Sequence, residues 1–151
     1  MNNIAEAKIF KYTFEVPIKR SASEIWALMT NEVDAWWMDD FRALGEGSKV
    51  TWNAQTGGQL IESAADGGCL EWYRAQMVSP GQSIYLVGYM APDWGGPTTS
   101  MLKLAVEDRK DGGALIVSDA LLGNVTEASA SSAESGWKML FGEGFKAFAE
   151  H

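Results

Sequence analysis

The stretch from Ala133 to Phe148, AESGWKMLFGEGFKAF, decides how this chain is read. Ala133, Trp137, Leu140, Phe141, Gly144, Phe145 and Phe148 recur at spacings of three and four, which puts them on one face of a helix. The spacing predicts one long amphipathic C-terminal helix, opened by the small residues of Ser129 to Ser135. Gly136, Gly142 and Gly144 each cost up to about 1 kcal/mol of helix propensity, so a tight approach to a sheet is expected to compensate.

The preceding residues supply that sheet. Beyond Gly45 short segments alternate with Gly, Pro, Asn and Asp, the texture of an antiparallel meander. Strands are predicted over 49–53, 59–63, 69–78, 83–89, 98–107 and 114–122. The connectors 55–58, 66–68, 79–82 and 109–113 are turn-like, and the longer 91–97, APDWGGP, carries an exposed-looking Trp94. At the other end, Phe10, Tyr12, Phe14 and Val16 alternate with polar residues, predicting a strand over 7–16 that Pro17 closes. Ser21 with Glu24 reads as a capping box opening a short helix, and a second short helix is predicted over 32–38, containing Trp36-Trp37. The order of elements implies an α+β domain, a curved antiparallel sheet wrapped around one long helix, with a gap between them lined by aromatics.

Composition narrows the function. A chain of 151 residues fits one domain over 1–151 and buries roughly 70% of its unfolded surface without disulfides or metals. Twelve Lys+Arg against 20 Asp+Glu give a net charge of −8, which removes the basic surface that nucleic acids and anionic membranes require. The single histidine is the terminal His151 and the single cysteine, Cys69, sits in a strand-like run. Ser-His-Asp and Cys-His relays, histidine metal sites and a disulfide framework are therefore excluded, and no cofactor is expected. No apolar run approaches the roughly 18 residues of a membrane span and no leader pattern opens the chain, so a cytoplasmic protein is expected.

Several phrases carry a family resemblance: VPIKRSASEIWALMT (16–30), Trp36-Trp37, the GG-x-L-I-E turn at 57–62, Ser79-Pro80-Gly81, the hairpin at 107–113 and the closing SGWKMLFGEGFKAF. Together, over 10–148, they resemble the START-like (SRPBCC) superfamily, and within it the Hsp90 ATPase activator homologue family. The resemblance implies a helix-grip fold and, as in many such proteins, a hydrophobic small molecule held between sheet and helix. It also implies a standalone domain of the bacterial type, for which chaperone stimulation does not follow from the family name.

On that reading the expected cavity lining is Trp26, Trp36 and Trp37 from the short helices, Trp52, Trp72, Tyr85, Tyr89 and Met101 from strands, and Trp137, Leu140, Phe141 and Phe145 from the long helix. The same aromatics could simply fill the core. Asp119 alternates with Leu115, Val117 and Leu121, so it is expected among aliphatics, where desolvation would raise its pKa, unless a partner such as Lys103 neutralises it. Alternation puts Glu71 on one face with Tyr73 and Met77, and Arg74 on the other with Trp72 and Val78. Glu62 is also mid-strand, and Asp39-Asp40 reads as a helix end and turn rather than a cation site.

Three functions fit these residues. The first is a module that binds a small hydrophobic or aromatic molecule. The second is a cyclase, hydrolase or isomerase using Asp119 or Glu71 with Tyr85 or Tyr89. The third is a chaperone-partner protein acting through its surface. Trp94 and surplus apolar sheet surface could also form a homodimer patch.

Overall fold

The alternating segment near the start forms strand β1 (Lys8–Ile18) in the computed structural model, which describes residues 3–151. The strand continues past its expected stop and pairs Pro17 with Ala114. It can do so because β1 is an edge strand, where a proline's missing N–H can face away from the ladder. Helix α1 (Ala22–Asn31) follows, with the expected capping box: Ser21 Oγ accepts from the Glu24 amide at 3.2 Å, and the Glu24 carboxylate accepts from the Ser21 amide at 3.1 Å. The second helix is shorter than expected, one turn of α2 (Val33–Trp36) and then a 3-10 turn at Asp39–Phe41.

The meander comprises β2 (Lys49–Trp52), β3 (Gln59–Ser63), β4 (Cys69–Ser79), β5 (Ser83–Met90), β6 (Thr98–Arg109) and β7 (Gly112–Gly123). With β1 they make a seven-stranded antiparallel sheet in the order β1-β7-β6-β5-β4-β3-β2. Two register shifts interrupt β4, one at Trp72 between the Leu60–Tyr73 and Ile61–Glu71 pairs and one at Gln76. Each inserts one residue and resets the alternation. The strict period-2 assignment of Glu71 to the Tyr73 face, and of Trp72 to the opposite one, is thereby overturned.

Helix α3 (Glu127–Met139) lies over the sheet, capped by Thr126 Oγ1 accepting from the Ser129 amide at 3.0 Å. The helical run does not keep one pitch: a π turn over Leu140–Phe145 intervenes before α4 (Lys146–Glu150). Leu140, Phe141 and Phe145 are buried there. None of the three glycines approaches the sheet as expected; Gly144 instead permits a close approach to the α2 segment, since a Cβ there would sit 2.8 Å from Met38 Cγ and 3.2 Å from the Trp36 carbonyl. A Cβ on Gly136 would meet its nearest neighbour at 3.6 Å, and one on Gly142 nothing within 4 Å.

Ile25, Met29, Ile84, Leu86, Leu104, Leu115, Val117, Leu140 and Phe145 form the centre of the core between sheet and helices, each no more than 1% exposed. Each such side chain contributes about 1.5–3 kcal/mol through burial. Among the described residues no helix is long and apolar enough to cross a membrane.

Candidate functional site

The core is filled beneath α1 and the π turn but not beneath the middle of α3. That stretch faces the sheet with Ser132, Ala133 and Gly136, none large enough to reach across, and a cavity of about 400 Å³ remains. Its aromatic wall is Trp37, Phe41, Trp72, Tyr73 and Trp137, and its floor includes Gly88, Ser100, Asp119 and Leu121. The rings abut one another, with centroids 5.3 Å apart for Trp37–Trp72, 6.5 Å for Trp37–Trp137 and 5.9 Å for Tyr73–Trp137. These tilted and edge contacts suit aromatic quadrupoles and make one continuous surface.

Each wall residue is held from behind. Trp37 Nε1 donates to the Phe41 carbonyl at 3.2 Å, and Trp72 Nε1 donates to Glu62 Oε1 at 3.0 Å. Glu62 is fully buried and also accepts from the Ala43 and Leu44 amides and from Ser48 Oγ. Burial disfavours its charge, but these donors outweigh that penalty and hold its pKa below the usual carboxylate value. Arg42 braces the same loop by donating to Asp34 Oδ1 and to the carbonyls of Asp34, Trp37 and Ser48. Trp72 can share the inner surface with its neighbour Tyr73 because it is the extra residue at the β4 shift.

Asp119 is 3% exposed, and Lys103 is not its partner; that lysine sits 5.0 Å from the Tyr85 ring centroid instead. Tyr12 OH donates to Asp119 Oδ2 at 2.8 Å and Ser100 Oγ donates to Oδ1 at 2.7 Å, while the Tyr73 hydroxyl meets Ser100 Oγ at 2.7 Å. Desolvation raises the Asp119 pKa, against the hydrogen bonds that favour its anion. It also raises both tyrosines, with the Asp119 charge acting in the same direction.

Of the aromatics and other residues expected at the site, Trp37, Trp72, Tyr89, Asp119 and Trp137 line the cavity. Trp36 does not; its indole donates to the Met29 carbonyl and packs against Phe141 and Phe145, all three buried in the core. Leu140 is core as well, and Trp26 and Trp52 pack partly buried against it. Tyr85 and Met101 lie away from the cavity, in a shallow hollow with Lys11, Thr13, Gln76 and Lys103. Alternation along a strand groups residues by face but does not fix which face is inner.

Tyr12, Tyr73, Ser100 and Gly88 were not anticipated. Gly88 had a legible signal, a glycine inside an otherwise apolar strand, which marks a close approach: a Cβ there would stand 2.8 Å from Tyr73 Cε1 and 2.5 Å from the Trp72 carbonyl. Asp39 and Asp40 form the 3-10 turn, and no cluster of metal-ligating residues occurs among the described residues.

The same arrangement of sheet and helices recurs in solved structures of low sequence identity. A protein from Rhizobium loti superposes with a TM-score of 0.73 at 20% identity, covering 95% of this chain and 99% of that one. An AHSA1-like protein from Aeromonas hydrophila gives 0.63 at 16% identity, covering 93% and 92%. The chain has the helix-grip fold of the AHSA1-like proteins. An Aha1 dimer from Colwellia psychrerythraea agrees, with a TM-score of 0.63 at 15% identity over 93% and 96% of the two chains. No protein-family model and no curated protein matches the sequence. In this fold the cavity lies between α3 and the sheet.

Proposed function

We propose that this protein binds a small, mainly apolar molecule in the cavity beneath α3. One observation carries the reading: about 400 Å³ stays open between helix and sheet behind a wall of Trp37, Trp72, Tyr73 and Trp137. Small-molecule sites are typically concave and apolar, of about 300–1,000 Å³, with a few placed polar groups. The Asp119–Ser100–Tyr73 cluster supplies those groups. Core packing alone accounts for Trp36, Phe141 and Phe145, but not for aromatics bordering unfilled space.

The test is intrinsic fluorescence. Three of the wall residues are tryptophans, so apolar probes at micromolar concentration should quench or shift the emission, and Trp137→Ala should abolish the response while the fold survives. No response to a broad set of apolar probes would end this reading.

A catalytic use of Asp119 is the second reading, favoured by its burial next to Tyr12 and Ser100 at a cavity surface. It requires a substrate whose turnover Asp119→Asn abolishes at unchanged melting temperature.

A further inference from the structure

We propose that the cavity selects an apolar molecule bearing a protonated amine, its cationic end on the Asp119 carboxylate and its body against Trp37, Trp72, Tyr73 and Trp137. This rests on the reading of the cavity as a ligand site and adds the chemistry of the ligand.

Ser100 has one hydroxyl hydrogen, and it goes to Asp119 Oδ1. The 2.7 Å contact between Tyr73 and Ser100 is therefore donated by Tyr73. Tyr12 likewise spends its hydrogen on Oδ2. Each hydroxyl hydrogen in the cluster points toward the carboxylate, so a ligand meets lone pairs there and no free donor. Two indoles of the wall are also committed, Trp37 to the Phe41 carbonyl and Trp72 to Glu62. Away from this cluster the lining carries further hydroxyls on Thr98, Ser132 and the exposed Tyr89, which can turn either way, and the exposed Trp94 adds an indole N–H. A carboxylate or phosphate ligand would set acceptor against acceptor, whereas a donor fits.

Charge selects among donors. No lysine or arginine pairs with Asp119 among the described residues. Tyr12 and Ser100 satisfy two of its roughly four lone-pair directions. A buried carboxylate without a counter-ion is half of an ion pair, and a bound ammonium supplies the other half. The indole and phenol faces attract the same cation. The net charge of −8 raises the local concentration of cations rather than anions.

The test uses one apolar cage with three head groups, 1-adamantanamine, 1-adamantanol and 1-adamantanecarboxylate, titrated calorimetrically into the full chain at pH 7. The amine should bind about ten- to a hundredfold tighter than the alcohol, with the carboxylate weakest. Asp119→Asn should bring the amine down to the alcohol's affinity and leave the alcohol within about threefold. Should that variant not fold, the ranking on the unaltered protein decides. Equal affinities, a preference for the carboxylate, or an amine that fails where the apolar fluorescence probes succeed would each overturn the proposal while leaving the ligand site standing. Silence from all three adamantanes and from every fluorescence probe would remove the site itself.

Discussion

The Trp72 indole donates to Glu62 Oε1 at 3.0 Å, tying one wall of the cavity to a carboxylate with no solvent exposure. Glu62 thus joins β3 to the 43–48 loop and to the cavity wall at once.

Glu62→Ala should cost about 3–4 kcal/mol, because it strands the Ala43 and Leu44 amides, Ser48 and Trp72 without an acceptor. Urea unfolding at pH 7 measures this, and a loss under about 1 kcal/mol would contradict the structural role assigned here. The native pKa lies below the ordinary carboxylate value, so the stabilisation is present at neutral pH and fades as pH falls through the native pKa. The gap between Glu62→Ala and the unaltered protein should therefore narrow in acid.

Asp119 should behave in the opposite sense. Its native pKa is raised, chiefly by burial, so ionisation opposes folding at neutral pH and that cost disappears as the group protonates. Relative to Asp119→Asn, the unaltered protein should gain stability as pH drops from neutral toward the carboxylate range. Parallel denaturation series at several pH values check the sign, and a gap that stays constant would contradict it.

Gly88→Ala should cost about 2 kcal/mol and disturb the cavity, because the new methyl would meet the Tyr73 ring and the Trp72 carbonyl at 2.8 and 2.5 Å. Thermal unfolding gives the cost, and the fluorescence assay should show a weakened ligand response.

The helical glycines should separate. Gly142→Ala meets nothing within 4 Å and should stabilise by about 0.5–1 kcal/mol through helix propensity. Gly144→Ala, pressed against Met38 and the Trp36 carbonyl, should lose that gain or become destabilising. Equal shifts in melting temperature would show that packing does not distinguish them.

Much of the fold was legible because its signals are local. The Ser21–Glu24 capping box, the strand limits within a residue or two at most ends, and the amphipathic spacing from Ala133 to Phe148 each depend on neighbours a few positions apart. The helix did not keep a uniform pitch, since the π turn at Leu140–Phe145 has no comparable signature in the spacing. At the site, Trp37, Trp72, Tyr89, Asp119 and Trp137 were anticipated by residue type, but Trp36, Tyr85 and Met101 were indistinguishable from them on that basis.

What the sequence by itself determined was the order of elements, the amphipathic character of the C-terminal segment, and a chemistry without an internal histidine, a cysteine pair or a basic surface. Tertiary structure alone decided which aromatics face open space. It did so through the extra residue at Trp72, which resets alternation along β4, and through the small face of α3, whose missing volume no other element supplies. It also decided the partners of Asp119, because Tyr12 and Ser100 reach it from strands 107 and 19 positions away, and that proximity follows from sheet register rather than from spacing along the chain.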